Sequence, residues 1–85
     1  MVKVYITKYA LSSGIFSVHG ELFANDGAVS YRREGGRFIE HAHGKDFHLT
    51  AEEALARAEE MRISKLKSLE KKIKNLSEMK FQIKD

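Results

Sequence analysis

The 85-residue chain contains no cysteine, so it can build neither a disulfide framework nor a thiolate metal site. A cytoplasmic setting is compatible with that composition. Proline is absent as well. Nothing therefore interrupts the helical pattern that begins near Thr50, and no proline-rich linker divides the chain into modules. Long apolar runs are missing too. None approaches the roughly 20 residues needed to cross a bilayer. The opening M-V-K-V-Y-I-T-K is too short and too broken by charge to read as a signal peptide. No membrane partner is expected.

Catalytic signatures are also lacking. Gly35-Gly36 is a turn pair without the following helix and lysine that a phosphate-binding loop requires. Ser12, Ser13, Ser17 and Ser30 stand in no spacing that defines a nucleophile and its base. Four of the twelve carboxylates, Glu52, Glu53, Glu59 and Glu60, gather at the start of the predicted helix, where capping and dipole effects account for them. The expectation is a non-enzymatic protein with no catalytic residues and no cofactor.

What is present describes a single globular domain over 1–85. The apolar fraction is 42% and the charged fraction 32%, in a chain near the lower size limit for a self-sufficient core. The net charge of +3 and pI near 9.3 make it mildly basic, well short of a chain dominated by phosphate binding. All six glycines lie at or before Gly44, whereas lysine concentrates towards the C-terminus. A turn-rich portion is followed by a turn-free one.

In the first portion, residues 2–11 alternate in part, with Val2, Val4 and Ile6 opposite Lys3, Tyr5 and Thr7, which reads as a strand. Ser12-Ser13-Gly14 marks a turn. Ile15 to Phe23 reads as a second strand, with Phe16, Val18 and Leu22 opposite Ser17, His19 and Glu21. Asn25-Asp26-Gly27 carries the Asp-Gly pair of a tight hairpin. Ala28 to Arg33 forms a third strand with Val29 and Tyr31 on one face. After the reversal at Glu34-Gly35-Gly36-Arg37, Phe38 to His43 forms a fourth. Short turns between close strands predict an antiparallel meander of about four strands over 2–49.

The second portion predicts a long amphipathic helix over 50–79. Thr50 and Glu53 match the capping box, in which the hydroxyl accepts from the N3 amide and the glutamate reaches back to the cap N–H. Glutamates crowd its beginning and lysines its end, complementing the helix dipole. Ala51, Ala54, Leu55, Ala58 and Met61 form a small-residue stripe suited to close packing on the sheet. From Leu66 the repeat becomes three-then-four, Leu66, Leu69, Ile73, Leu76, a two-heptad seam. Such a helix is about 45 Å long, whereas six-residue strands span about 20 Å. Its C-terminal half should therefore project as a short coiled coil and pair with a second copy, making a homodimer. Residues 80–85 form a tail whose alternation, Lys80-Phe81-Gln82-Ile83-Lys84, fits a short strand as well as continued helix.

Three groups are candidate sites. Lys65, Lys67, Lys71, Lys72 and Lys74 could contact phosphates or an acidic partner. Against nucleic acid, the lysines avoid the seam and no aromatic sits among them for base stacking, so the solvated flank of a coiled coil explains them better. His41 and His43 share one face of a strand, and His48 follows a short turn. Three imidazoles could hold zinc, but alternating polar residues on an exposed strand explain the spacing equally, and no metal is expected. The aromatics of the sheet region should mostly be core. Tyr5, Tyr9 and Tyr31 would form a protein-docking face if they point away from the helix.

The stretch Tyr5-Ile6-Thr7-Lys8-Tyr9-Ala10-Leu11-Ser12-Ser13-Gly14-Ile15 resembles a group of short uncharacterised proteins encoded by bacteriophages and prophages. Their N-termini similarly read aromatic-I-T-K-Y-A-L, a polar turn, then G-I. A second shared region runs from Thr50 to Leu76, with T-A-E-E-A, R-A-E-E-M-R and a lysine-rich Leu/Ile seam. Together the two cover about half the chain. Relatives of this type often carry tryptophan where this chain has Tyr5 and Phe47. The group brings no established activity or site residues. It implies a context, namely a small accessory protein in the cytoplasm of a host bacterium that binds a host protein, with inhibition of a host defence complex as one such role.

The fold class expected is thus α+β, a meander packed on one long C-terminal helix, and the function expected is non-enzymatic binding of a protein partner. Nucleic-acid binding through the basic helix is the alternative, and a small-ligand or zinc-binding module comes third.

Overall fold

A computed structural model describes residues 1–84. Five strands, β1 (Val2–Ile6), β2 (Phe16–Phe23), β3 (Ala28–Tyr31), β4 (Glu40–His43) and β5 (Phe47–His48), precede one helix, α1 (Ala51–Ser77). A 3-10 turn, Gly44–Asp46, joins β4 to β5. The sheet order is β4-β3-β2-β1-β5, antiparallel throughout. The α+β expectation holds, with one strand more than the alternation indicated.

That extra strand shapes the molecule. A flat five-stranded sheet would hold its edges about 19 Å apart, because strands are spaced by about 4.8 Å. The step from His43 to Phe47 can span at most about 14 Å even when extended. The sheet must therefore curl, and it forms a half-barrel. Thr7 fastens the closure: its N–H donates to the Asp46 carbonyl at 2.9 Å and its hydroxyl to the Lys45 carbonyl at 3.0 Å. It is the only fully buried polar residue among those described.

Curling fills the inner face with the sheet's own side chains. Register places Val4 beside Val18, Ile6 beside Phe16 and Phe47, and Val29 beside Leu22 and Ala42. The core consists of Val4, Ile6, Val29, Tyr31, Ala42 and Phe47, with Phe16, Val18 and Leu22 packed against it. No helical residue belongs to it.

The helix consequently packs less than its sequence suggests. Only Ala54 is buried; Arg57, Ala58 and Met61 are half-buried, while Ala51 and Leu55 of the expected stripe are exposed. Its first turns rest against β5 and β1, and everything beyond projects. The radius of gyration is 18.4 Å, whereas a compact chain of this length has about 12 Å. At the N-cap, Thr50 Oγ1 accepts from the Glu53 N–H at 3.2 Å. The Glu53 carboxylate takes the Thr50 hydroxyl, at 3.1 Å, rather than the cap N–H.

Several boundaries move. β1 stops at Ile6 because β2 begins opposite it at Phe16; residues 8–13 are turns closed on the Tyr9 and Thr7 carbonyls. β3 ends at Tyr31, and β4 begins only at Glu40, leaving Phe38 and Ile39 exposed in the loop. The β2–β3 connection is a four-residue turn rather than a two-residue Asp-Gly hairpin. Pairing closes at Phe23 and Ala28, and Ala24, Asn25 and Asp26 take the left-handed conformation in place of the glycine. Helix α1 stops at Ser77, and residues 80–84 form neither strand nor helix. Asp85 of the expected tail lies outside the described residues.

Candidate functional site

Strand pairing sorts the sheet residues into two faces, because cross-strand partners point the same way. The outer face carries Lys3, Tyr5, Ser17, His19, Glu21, Phe23, Ser30, His41 and His43. At one end of it Phe23 remains 41% exposed. The His41 and His43 rings meet it edge-on, with centroids 5.7 and 6.0 Å away. At the other end the Lys3 ammonium stands 5.7 Å from the Tyr5 ring centroid. Aromatic rings with polar edges on an exposed sheet suit protein contact, where Tyr, Trp and Phe are enriched. Phe23 was counted among the aromatics expected mostly in the core, although period two puts it on the side of His19 and Glu21. Its pairing with the two histidines depends on a register that the sequence does not state.

The tyrosines do not form one docking face. Tyr31 is only 2% exposed and lies in the core, Tyr5 is on the outer face, and Tyr9 is in the turn after β1. Register turns Tyr31 inward with Val29, onto the face that the curl encloses. Tyr9 instead joins a latch built on Arg33, whose guanidinium carbon lies 5.0 Å from the Tyr9 ring centroid and 4.7 Å from that of Phe16. Arg33 Nε is 2.8 Å from a Glu40 carboxylate oxygen. The latch ties the β1–β2 turn to β4.

Tyr31 lies beneath it. Its hydroxyl forms no hydrogen bond of accepted geometry. Burial raises the phenol above its ordinary value, Glu40 adds to the effect, and Arg33 opposes both. Because the unfolded tyrosine ionises first, near about pH 10, this stabilisation is complete below that pH and is lost as pH rises through the folded value. Tyr31→Phe should therefore stay within about 1 kcal/mol of wild type at neutral pH. It should lose less stability than wild type above about pH 10, a difference that paired thermal melts will read.

The histidine trio is not assembled. His41 and His43 have ring centroids 6.5 Å apart on β4, whereas His48 belongs to β5 at the opposite edge of the sheet. His48 is occupied locally, with Nε2 3.1 Å from the Lys45 carbonyl oxygen and Nδ1 4.0 Å from Glu53. Among the described residues no three His, Cys, Asp or Glu side chains gather as metal ligands. Nor is any described helix long and apolar enough to cross a membrane.

On the helix, Leu66, Leu69, Ile73 and Leu76 are 40–66% exposed. Lys65, Lys67, Lys71, Lys72 and Lys74 are exposed around them, and none forms an ion pair among the described residues. The seam ends towards the head at Arg62, whose Nε donates to Glu59 at 3.0 Å, holding that carboxyl below its usual range. No protein-family model matches the chain, and no curated protein or solved structure is significantly similar to it.

Proposed function

We propose that the chain is a non-enzymatic binding protein of phage type, which engages a host protein through the outer face of the half-barrel. Two copies pair through the projecting helix, so that each assembly carries two heads. The observation that supports this reading is the Phe23–His41–His43 group, an apolar ring left exposed on a sheet whose inner face already fills its own core. Inhibition of a host defence complex is the role suggested by the resemblance of the N-terminal stretch to phage proteins.

The test is capture from lysates of candidate host bacteria, comparing the intact chain with Phe23→Ala and with the helix variant Lys67→Glu/Lys71→Glu/Lys74→Glu. A host protein retained by wild type and by the helix variant, but lost with Phe23→Ala, supports the head as the binding surface. Retention that Phe23→Ala leaves unchanged contradicts it. An exposed aromatic anchor at an interface is worth about 2 kcal/mol or more.

A second reading follows from the unpaired lysines of the helix, which suit a phosphate backbone. It expects affinity for nucleic acid that falls steeply with salt and is abolished in the triple glutamate variant. Electrophoretic mobility at low salt decides it, and absence of a shift removes this reading.

A further inference from the structure

The seam can accept a second helix in either direction, and the charges beside it distinguish the two. Leu66 and Ile73 occupy a positions and Leu69 and Leu76 d positions, which makes Lys65 and Lys72 g residues and Glu70 an e residue. In a parallel pair, g of one heptad faces e of the next on the partner helix. Lys65 then meets the partner's Glu70, and the symmetry of the pair makes the contact twice. An antiparallel pair centred on the same four residues brings Lys72 beside its own copy and Glu70 beside its own copy. Like charges would then flank both sides of the seam.

We infer that the occupant of this seam is a second copy of the chain, parallel and in register, with Lys65 of each helix against Glu70 of the other. This rests on the assembly role proposed above and adds its geometry. The head does not obstruct such a partner. At about 100° per residue, the head-facing stripe of Ala54, Arg57, Ala58 and Met61 lies roughly a quarter-turn from the seam. Parallel pairing also has a consequence for binding. Both half-barrels stand at the same end, so their outer faces can engage one bivalent partner or two neighbouring copies of it.

The cysteine-free sequence makes orientation directly readable. Leu66→Cys and Leu76→Cys are prepared separately, mixed as intact chains and equilibrated in a glutathione buffer. Parallel pairing gives disulfides between like positions, 66 with 66 and 76 with 76, in excess of the mixed species. Dominance of the mixed 66–76 disulfide overturns the orientation while leaving the pairing of copies intact. Absence of any disulfide also overturns it, and the mass of the unmodified chain then shows whether assembly has failed too. A charge exchange gives an independent readout. Glu70→Lys should weaken dimerisation severalfold, and Lys65→Glu with Glu70→Lys should restore it. A double variant as weak as Glu70→Lys alone contradicts the Lys65–Glu70 contact.

Discussion

Ile73→Lys should abolish the proposed dimer without disturbing the fold. Ile73 is 65% exposed in the single chain, on the part of the helix where every residue from Arg62 to Ser77 is exposed. Lysine is at least as good a helix former as isoleucine, so the single chain should melt within about 0.5 kcal/mol of wild type. In a paired seam the same position is central, and two copies of the substitution enter each dimer. Losing two buried isoleucines costs about 3 kcal/mol or more, beyond a hundredfold in dissociation constant. Leu69→Lys should behave in the same way. The seam is short, at two heptads, so the proposed pairing should depend on concentration even in wild type. A dimer that persists with Ile73→Lys would place the contact elsewhere on the molecule.

Gly20→Ala should have the opposite profile, leaving the seam alone and unsettling the head. Gly20 lies in the middle of β2, opposite Val2 and Tyr31. A Cβ there would stand 2.6 Å from the Ser30 carbonyl oxygen, 2.7 Å from Val29 Cγ2 and 3.2 Å from Tyr31 Cβ. Two of those contacts involve a backbone atom and a fully buried side chain, so neither neighbour can move aside cheaply. The glycine is required by the close approach of β3 to β2 at this position. Overpacking of this kind costs about 2–3 kcal/mol, a large share of the roughly 4–13 kcal/mol available to a chain this size. The melting temperature should fall by roughly 10–20 °C. His19→Ala, one residue away on the exposed outer face, should change it little. Equal melting temperatures for Gly20→Ala and wild type would contradict the packing described here.

The two substitutions mark what could and could not be read from the sequence. The helix was plain because its evidence is local: Thr50 and Glu53 at its start, uninterrupted spacing, and a change of period at Leu66. β1 to β3 and the side to which Val4, Ile6, Val18 and Val29 turn were also visible, since period two needs only neighbouring residues. β5 was not, because two residues, Phe47 and His48, carry no periodicity. Without β5 there was nothing to require the curl. Consequently Gly20 looked like an unremarkable strand residue, and Tyr31 looked free to face outwards. The Ala51–Met61 stripe was read as packing on the sheet because its small residues recur at helical spacing. The curl covers the sheet's inner face instead. The seam was legible on its own helix, whereas the Phe23–His41–His43 group depends on β2, β3 and β4 lying in register.

A long helix that its own head leaves uncovered is the feature on which the proposed assembly rests, and sedimentation equilibrium of the intact chain tests it most directly. Across a concentration series reaching high micromolar, the mass should rise from 9.7 kDa towards twice that value, and the rise should vanish with Ile73→Lys. A wild-type mass that stays at 9.7 kDa throughout would contradict the pairing of copies and return the exposed Leu66–Leu76 seam to some other partner.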